Sequence, residues 1–211
     1  MDDRLVLTLL RHGVTEANLA KQYLGWRDIP LQARTKERLK ENTSLKVDLL
    51  VSSDLIRCVE TANKLFPRHH IYKMASLREY HFGDWDGFTY EQLKHEPSYQ
   101  RWLSDMSIRV PNGESLYDFQ TRIRQGLLKI TDMISKEGVR NVVVVTHGGV
   151  IRQLLSWLSP DEKDFWEWDV PYQGGYRLVT TLQRLRRSER CTLLQVVSAK
   201  ENEDGFTSIT T

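Results

Sequence analysis

The chain has 211 residues, 40% of them hydrophobic, and a formal net charge of +2: enough apolar material for one sizeable core, and too little charge to point to nucleic acid. Two distant cysteines, Cys58 and Cys191, match no metal-ligand or redox spacing and suit a reducing cytosol rather than a disulfide framework. The apolar run behind Met1-Asp2-Asp3-Arg4 is only a few residues long, short of a signal peptide or membrane helix, so the expectation is a cytoplasmic protein without membrane or nucleic-acid partners.

In chain order, Val6–Leu10 reads as a short buried strand and is followed at once by Arg11-His12-Gly13. Residues 33–44 are charged and helix-compatible. Val47–Val51 is a second apolar strand, ended by Ser52-Ser53-Asp54. From Leu55 to Phe66 the apolar positions recur at helical spacing, with Ser53 or Asp54 expected as N-cap and Pro67 as the stop. Ile71–Met74 is strand-like and leads to Leu77-Arg78-Glu79 and the loop Phe82–Gly87. Residues 89–105 look helical with a break near Pro97, and Pro111-Asn112-Gly113 is a turn signal.

Behind that turn, Leu116, Phe119, Ile123, Leu127, Ile130 and Ile134 trace a long amphipathic helix, and Ser115 with Asp118 has the spacing of a capping box. Asn141–Thr146 is the clearest strand, its Val run suiting a strand covered on both faces. It ends at His147-Gly148-Gly149, and Val150–Leu158 resumes as a helix. Tyr176–Leu185 and Cys191–Ser198 read as an antiparallel hairpin, with Arg184, Arg186, Arg187 and Arg190 as its solvated end. One domain over 1–200 is expected, with a polar, frayed tail over 201–211.

Strands alternating with helices predict a three-layer α/β/α sandwich, a mostly parallel central sheet with an antiparallel C-terminal hairpin. Ligands in such sheets bind outside the carboxyl ends of the strands. His12, Arg57 and His147 all follow predicted strands, so three remote segments aim polar groups at one edge. Together with Arg11 and Glu79 they fit phosphoryl transfer. A neutral His12 can attack phosphorus, with two neighbouring guanidiniums depressing its pKa. Arg11 and Arg57 can fork onto phosphate oxygens, the start of the 55–66 helix adds N–H groups, and His147 donates a further hydrogen bond. Glu79 can protonate the departing alkoxide and then activate water. Taken singly, each has an ordinary explanation as a strand-end, helix-surface or loop residue; His69, His70, His81 and His95 keep it, His81 being near enough to Glu79 to line the site. No His, Asp or Glu spacing calls for a metal, and no cofactor is expected.

The carriers Leu10-Arg11-His12-Gly13-x-Thr15-x-x-Asn18, Ser52-Ser53-x-x-x-Arg57-x-x-x-Thr61-Ala62, Leu77-Arg78-Glu79-x-x-Phe82-Gly83-x-Trp85-x-Gly87, Pro111-x-Gly113-Glu114-Ser115 and Val144-x-Thr146-His147-Gly148-Gly149 resemble the histidine phosphatase, or phosphoglycerate mutase-like, superfamily from about residue 5 to about residue 160. The resemblance implies that His12 is phosphorylated, that Arg11, Arg57 and His147 hold the phosphate, and that Glu79 is the proton donor. It further implies phosphate or substrate contact for Asn18, Gly25, Trp26 and Gly148.

One departure stands out. Where the family has a Thr, then a Gly and a Gln, this chain reads Gln32-Ala33-Arg34-Thr35-Lys36, in a segment expected to start a helix away from the chemistry. Tyr80 replaces the Arg common in mutases, and no Arg-Arg pair occurs between Gly87 and Pro111. Both absences favour a phosphatase over a mutase. Phe82-Gly83-Asp84-Trp85, with Trp102 and the Pro111-Asn112-Gly113-Glu114-Ser115 turn, looks most like the phosphatases acting on α-ribazole-5′-phosphate in cobalamin synthesis, broad-specificity bacterial enzymes sharing several of these features. Trp26, Tyr80, Trp85 and Trp102 are candidates for either a flat leaving-group pocket or the core. The expectation is therefore a phosphomonoesterase acting on small phosphorylated metabolites. A phosphoglycerate mutase and a catalytically silent phospho-ligand-binding module are the alternatives, and both monomer and homodimer stay open.

Overall fold

The structure, a computed structural model, describes residues 3–197 and the backbone of 200–201 and 207–208. In chain order the elements are β1 (Arg4–Arg11), α1 (Glu16–Leu19), α2 (Ala33–Arg38), β2 (Leu49–Ser53), α3 (Ile56–Leu65), β3 (Ile71–Met74), α4 (Tyr90–Leu93), α5 (Pro97–Ser104), α6 (Leu116–Glu137), β4 (Asn141–Thr146), α7 (Gly148–Leu158), β5 (Gly175–Thr181), α8 (Leu182–Arg186), β6 (Leu193–Val197), β7 (Lys200–Glu201) and β8 (Thr207–Ser208). Six strands form one sheet in the order β3-β2-β4-β1-β5-β6. β1, β2, β3 and β4 run parallel, β5 joins β1 antiparallel, and β6 joins β5 antiparallel at the sheet edge.

The alternation of side chains across the strands divides the interior in two. Leu5, Leu7 and Leu9 of β1, with Val142 and Val144 of β4, face α6 and α7, where Phe119, Ile123, Leu127, Val150, Ile151 and Leu154 are buried. Leu10, Leu50, Val143 and Val145 face the other way, onto Cys58, Ala62 and Leu65 of α3. The helix layers on both faces explain why the Val run of β4 has no polar side.

Several boundaries depart from the sequence reading. The helix expected over 33–44 stops at Arg38, where Leu39 turns extended (φ −63°, ψ 121°) and buries its side chain. The predicted caps of α3 are otherwise engaged: Asp54 forks onto Arg78 at 2.6 and 2.7 Å, and Ser53 Oγ lies 2.9 Å from a ring nitrogen of His147. Leu55 is the N-cap, and the Ile56 N–H donates instead to Asp28 Oδ1 at 2.6 Å. The C-terminal hairpin is present, but its first arm leaves the sheet at Thr181, whose hydroxyl caps α8 by accepting from the Arg184 N–H.

The Ser115–Asp118 capping box is formed, and α6 ends at Gly138 in the left-handed region (φ 67°), a conformation that favours glycine. Of the tail expected over 201–211, Glu201 pairs with Thr207, and Ser208 pairs with Lys200 just before it; the tail's remaining residues lie outside the described ones. Among the described residues no helix is long and apolar enough to cross a membrane.

Candidate active site

The geometry starts from sheet order. β2, β4 and β1 are adjacent and parallel, with Ser52 opposite Val145 and Arg11 opposite Thr146, so their carboxyl ends arrive in one row. His12 follows β1 and is held by its own N–H, which donates to Thr146 O at 3.0 Å. His147 follows β4 as the N-cap residue of α7. The two imidazoles meet edge to face, ring centroids 5.2 Å apart. Residues 135 positions apart in sequence thus share one spot.

His12 is buried, and its Nδ1 lies 2.7 Å from Gly13 O. A carbonyl only accepts, so Nδ1 carries the proton and Nε2 keeps a lone pair. Burial, first, and then the charges of Arg57 and Arg11 hold its pKa well below the usual histidine range. His147 is buried completely and likewise held neutral, by burial and then by Arg57. One ring nitrogen, Nε2, sits 2.9 Å from Ser53 Oγ and 3.4 Å from Cys58 Sγ. Burial also pushes the Cys58 thiol far up, out of the nucleophilic range.

The guanidiniums are fixed by carbonyls. Arg57, fully buried, donates to Gly25 O at 2.7 Å and Arg27 O at 2.9 Å. Arg11 donates to Val170 O at 2.6 Å and lies 3.7 Å above the Tyr172 ring. Each keeps a buried Nε–H without a protein partner. Two desolvated cations with spare donors, beside a neutral imidazole, form a receptor for an oxyanion.

Glu79 comes from the turn after β3 and reaches the start of α7, accepting from the Tyr80 N–H at 2.9 Å and the Gly149 N–H at 3.0 Å. A Cβ on Gly149 would overlap its Oε1, so only glycine allows this approach. Its charge is felt at both Arg11 and Arg57, which puts all three in one cluster.

The remaining candidates divide. Gly25 contributes its carbonyl to Arg57, and Gly148 is the buried first residue of α7. Asn18 spends its carboxamide oxygen on the N–H and hydroxyl of Thr15, capping α1. Trp26 is half-buried and donates to Glu79 O at 2.9 Å; its ring meets His81 edge to face. Tyr80, Trp85 and Trp102 are buried in the aromatic core, so of the four aromatics only Trp26 is part-exposed beside the site, with the Arg78 guanidinium 4.9 Å and that of Arg122 5.6 Å from its ring centre.

The divergent segment 32–36 does start α2, yet it is not remote: Thr35 is buried with its methyl against Gly13, and the Gln32 N–H donates to Val14 O. Sequence reasoning passed over Tyr172, on the loop before β5, 5.8 Å from the His12 ring; the Pro171 and Gly174-Gly175 turn signals were its only trace. It also gave Glu114 no role, although that residue stands in a quoted motif, and missed Arg122, which looks like any polar residue on a helix.

Comparison with known proteins bears on this cluster. The profile of the histidine phosphatase superfamily (branch 1) matches residues 7–191. An adenosylcobalamin/alpha-ribazole phosphatase of Salmonella typhimurium is 32% identical over 163 residues, covering 72% of this chain and 78% of that protein. A 2,3-bisphosphoglycerate-dependent phosphoglycerate mutase of Bartonella henselae is 32% identical over 169 residues, 72% of this chain and 81% of its own. The crystal structure of the alpha-ribazole phosphatase from Shigella flexneri superposes with a TM-score of 0.76 at 24% identity, over 91% of this chain and 95% of that one, which shows a shared fold.

Proposed function

The chain belongs to the histidine phosphatase superfamily and is a phosphatase, and from that premise we infer that His12 carries the phosphoryl group from a small phosphomonoester to water. One observation carries the reading: two guanidiniums with buried, unpaired Nε–H groups flank an imidazole that burial keeps neutral. An oxyanion completes the donors and the free imidazole nitrogen attacks it.

In the first half-reaction His12 Nε2 forms a bond to phosphorus as the bond to the alcohol oxygen breaks. Arg11, Arg57 and His147 hold the non-reacting oxygens, and Glu79, which takes up a proton when the bound phosphate dianion offsets the two arginines, gives that proton to the leaving alkoxide. Glu79, now a carboxylate, takes a proton from water; the water oxygen attacks phosphorus and the P–N electron pair returns to His12. The Gly13 carbonyl supports this cycle by fixing the tautomer, since the Nδ1 proton stays where it is in both steps. Asn18, Gly25, Trp26 and Gly148 border the bound ester.

α-Ribazole-5′-phosphate is the substrate of choice. Support comes from relatives named for that activity and from Trp26, a part-exposed aromatic beside Glu79. The test incubates purified protein with α-ribazole-5′-phosphate, p-nitrophenyl phosphate and 3-phosphoglycerate, following both free phosphate and isomerised product. Phosphate is expected from the first two, with the higher kcat/KM for α-ribazole-5′-phosphate, and His12→Ala should release none. Isomerised phosphoglycerate would favour a mutase, and silence on every ester from acidic to neutral pH would favour a phospho-ligand-binding module.

A further inference from the structure

Outside the reacting groups, the most heavily committed side chain beside the site is Arg122, on the second turn of α6. All five of its N–H groups are used. Nε and Nη2 fork onto Glu114 at 2.7 and 2.8 Å, Nη1 donates to Ser76 O at 3.0 Å and Arg78 O at 2.7 Å, and Nη2 also donates to Glu79 O at 3.1 Å. Both partners of the ion pair are largely buried, with side chains 14% and 12% exposed. Glu114 in turn accepts the His81 N–H at 3.0 Å through its carboxylate, and its own N–H donates to His81 O at 3.0 Å. Four successive points of the chain from 76 to 81 are therefore tied to one guanidinium–carboxylate pair, and Glu79 sits among them.

We propose that Arg122, locked by Glu114, is a positioning residue that sets the height of the Glu79 carboxyl above the leaving-group oxygen by gripping the backbone on either side of it. The proposal rests on Glu79 being the general acid. A lone charge does not suffice for the task. The grip needs a planar fork with donors in two directions, because the carboxylate lies on one side and three carbonyls on the other; a lysine has neither the plane nor the donor count. The stake is geometric, since small displacements of a catalytic group cost large factors in rate.

A proton donor that drifts is felt only by leaving groups that need the proton. The experiment therefore measures kcat/KM, which reports the first phosphoryl transfer, for a series running from p-nitrophenyl phosphate, whose phenolate departs unprotonated, to simple alkyl phosphates. Arg122→Lys should lose at least tenfold more on the alkyl esters than on p-nitrophenyl phosphate, and Glu114→Gln should shift the same way. Equal losses across the series, or none, would overturn the proposal by reducing the pair to general scaffolding. Should Arg122→Lys fail to fold, the Glu114→Gln series decides alone by the same criterion. Glu79→Gln runs alongside: if it too loses equally on every ester, the general-acid reading itself fails, whereas a selective loss there with a flat response at 122 and 114 sinks only the positioning role.

Discussion

One methyl group added at residue 149 tests how closely the chemistry depends on local packing. A Cβ there must displace the Glu79 carboxylate, the flexible end of a side chain, while alanine suits the first turn of a helix at least as well as glycine. Gly149→Ala is thus expected to leave the melting temperature within a few degrees of wild type. Turnover of alkyl phosphates should fall by about 10²–10⁴, the range of a lost general acid; wild-type turnover would mean that Glu79 does not act from this position. At this scale the sequence was informative where a residue type had one plausible chemistry. Histidines and arginines next to strand ends stood out, and so did a glutamate shortly after the third strand. Arg122 did not, because its importance lies in three backbone carbonyls that no sequence pattern advertises. Tyr172 was hidden for a similar reason: its partner, Arg11, belongs to a strand on the far side of the chain.

Among the elements, the ends of helices separate what is local from what is not. The Ser115–Asp118 box lies within four residues of itself and was legible before any fold was known. The start of α3 was not, because the carboxylate that accepts its first N–H belongs to Asp28, from a loop between β1 and β2 that also carries the Arg27 carbonyl held by Arg57. Asp28→Ala should therefore destabilise the protein by about 0.5–2 kcal/mol, the usual cost of a lost cap. Urea unfolding checks this, and an unchanged midpoint would show that the Ile56 N–H is satisfied without Asp28. The overlong readings of α2 and of the hairpin arm have the same root. Charge composition allowed a helix to continue past Arg38, but burial of Leu39 stopped it, and the strand pattern after Thr181 gave no sign that its hydroxyl would start a helix.

For the molecule as a whole, placing two uncharged imidazoles in the interior ties stability to pH. Both His12 and His147 titrate well below their usual range when folded. The unfolded chain takes up their protons near pH 6.5 and the native one does not, so the stability they permit is present above about pH 6.5 and is lost as pH falls toward their native pKa values. Replacing one of them, as in His147→Asn, should flatten the fall of unfolding free energy below pH 6.5, by at most about 1.4 kcal/mol per pH unit, the limit for one proton. Urea midpoints measured across that interval check the sign and size, and parallel curves for the two proteins would refute a neutral buried His147. The sheet order has a separate consequence, for how the protein is made. β1 carries the nucleophile, yet Val6 meets Asn141 on one side and Val179 on the other. A nascent chain thus leaves the ribosome with its future central strand bare along both edges until those late segments follow. Closing such long loops comes late and slowly, and the interval is one in which a chaperone or a protease reaches the chain first.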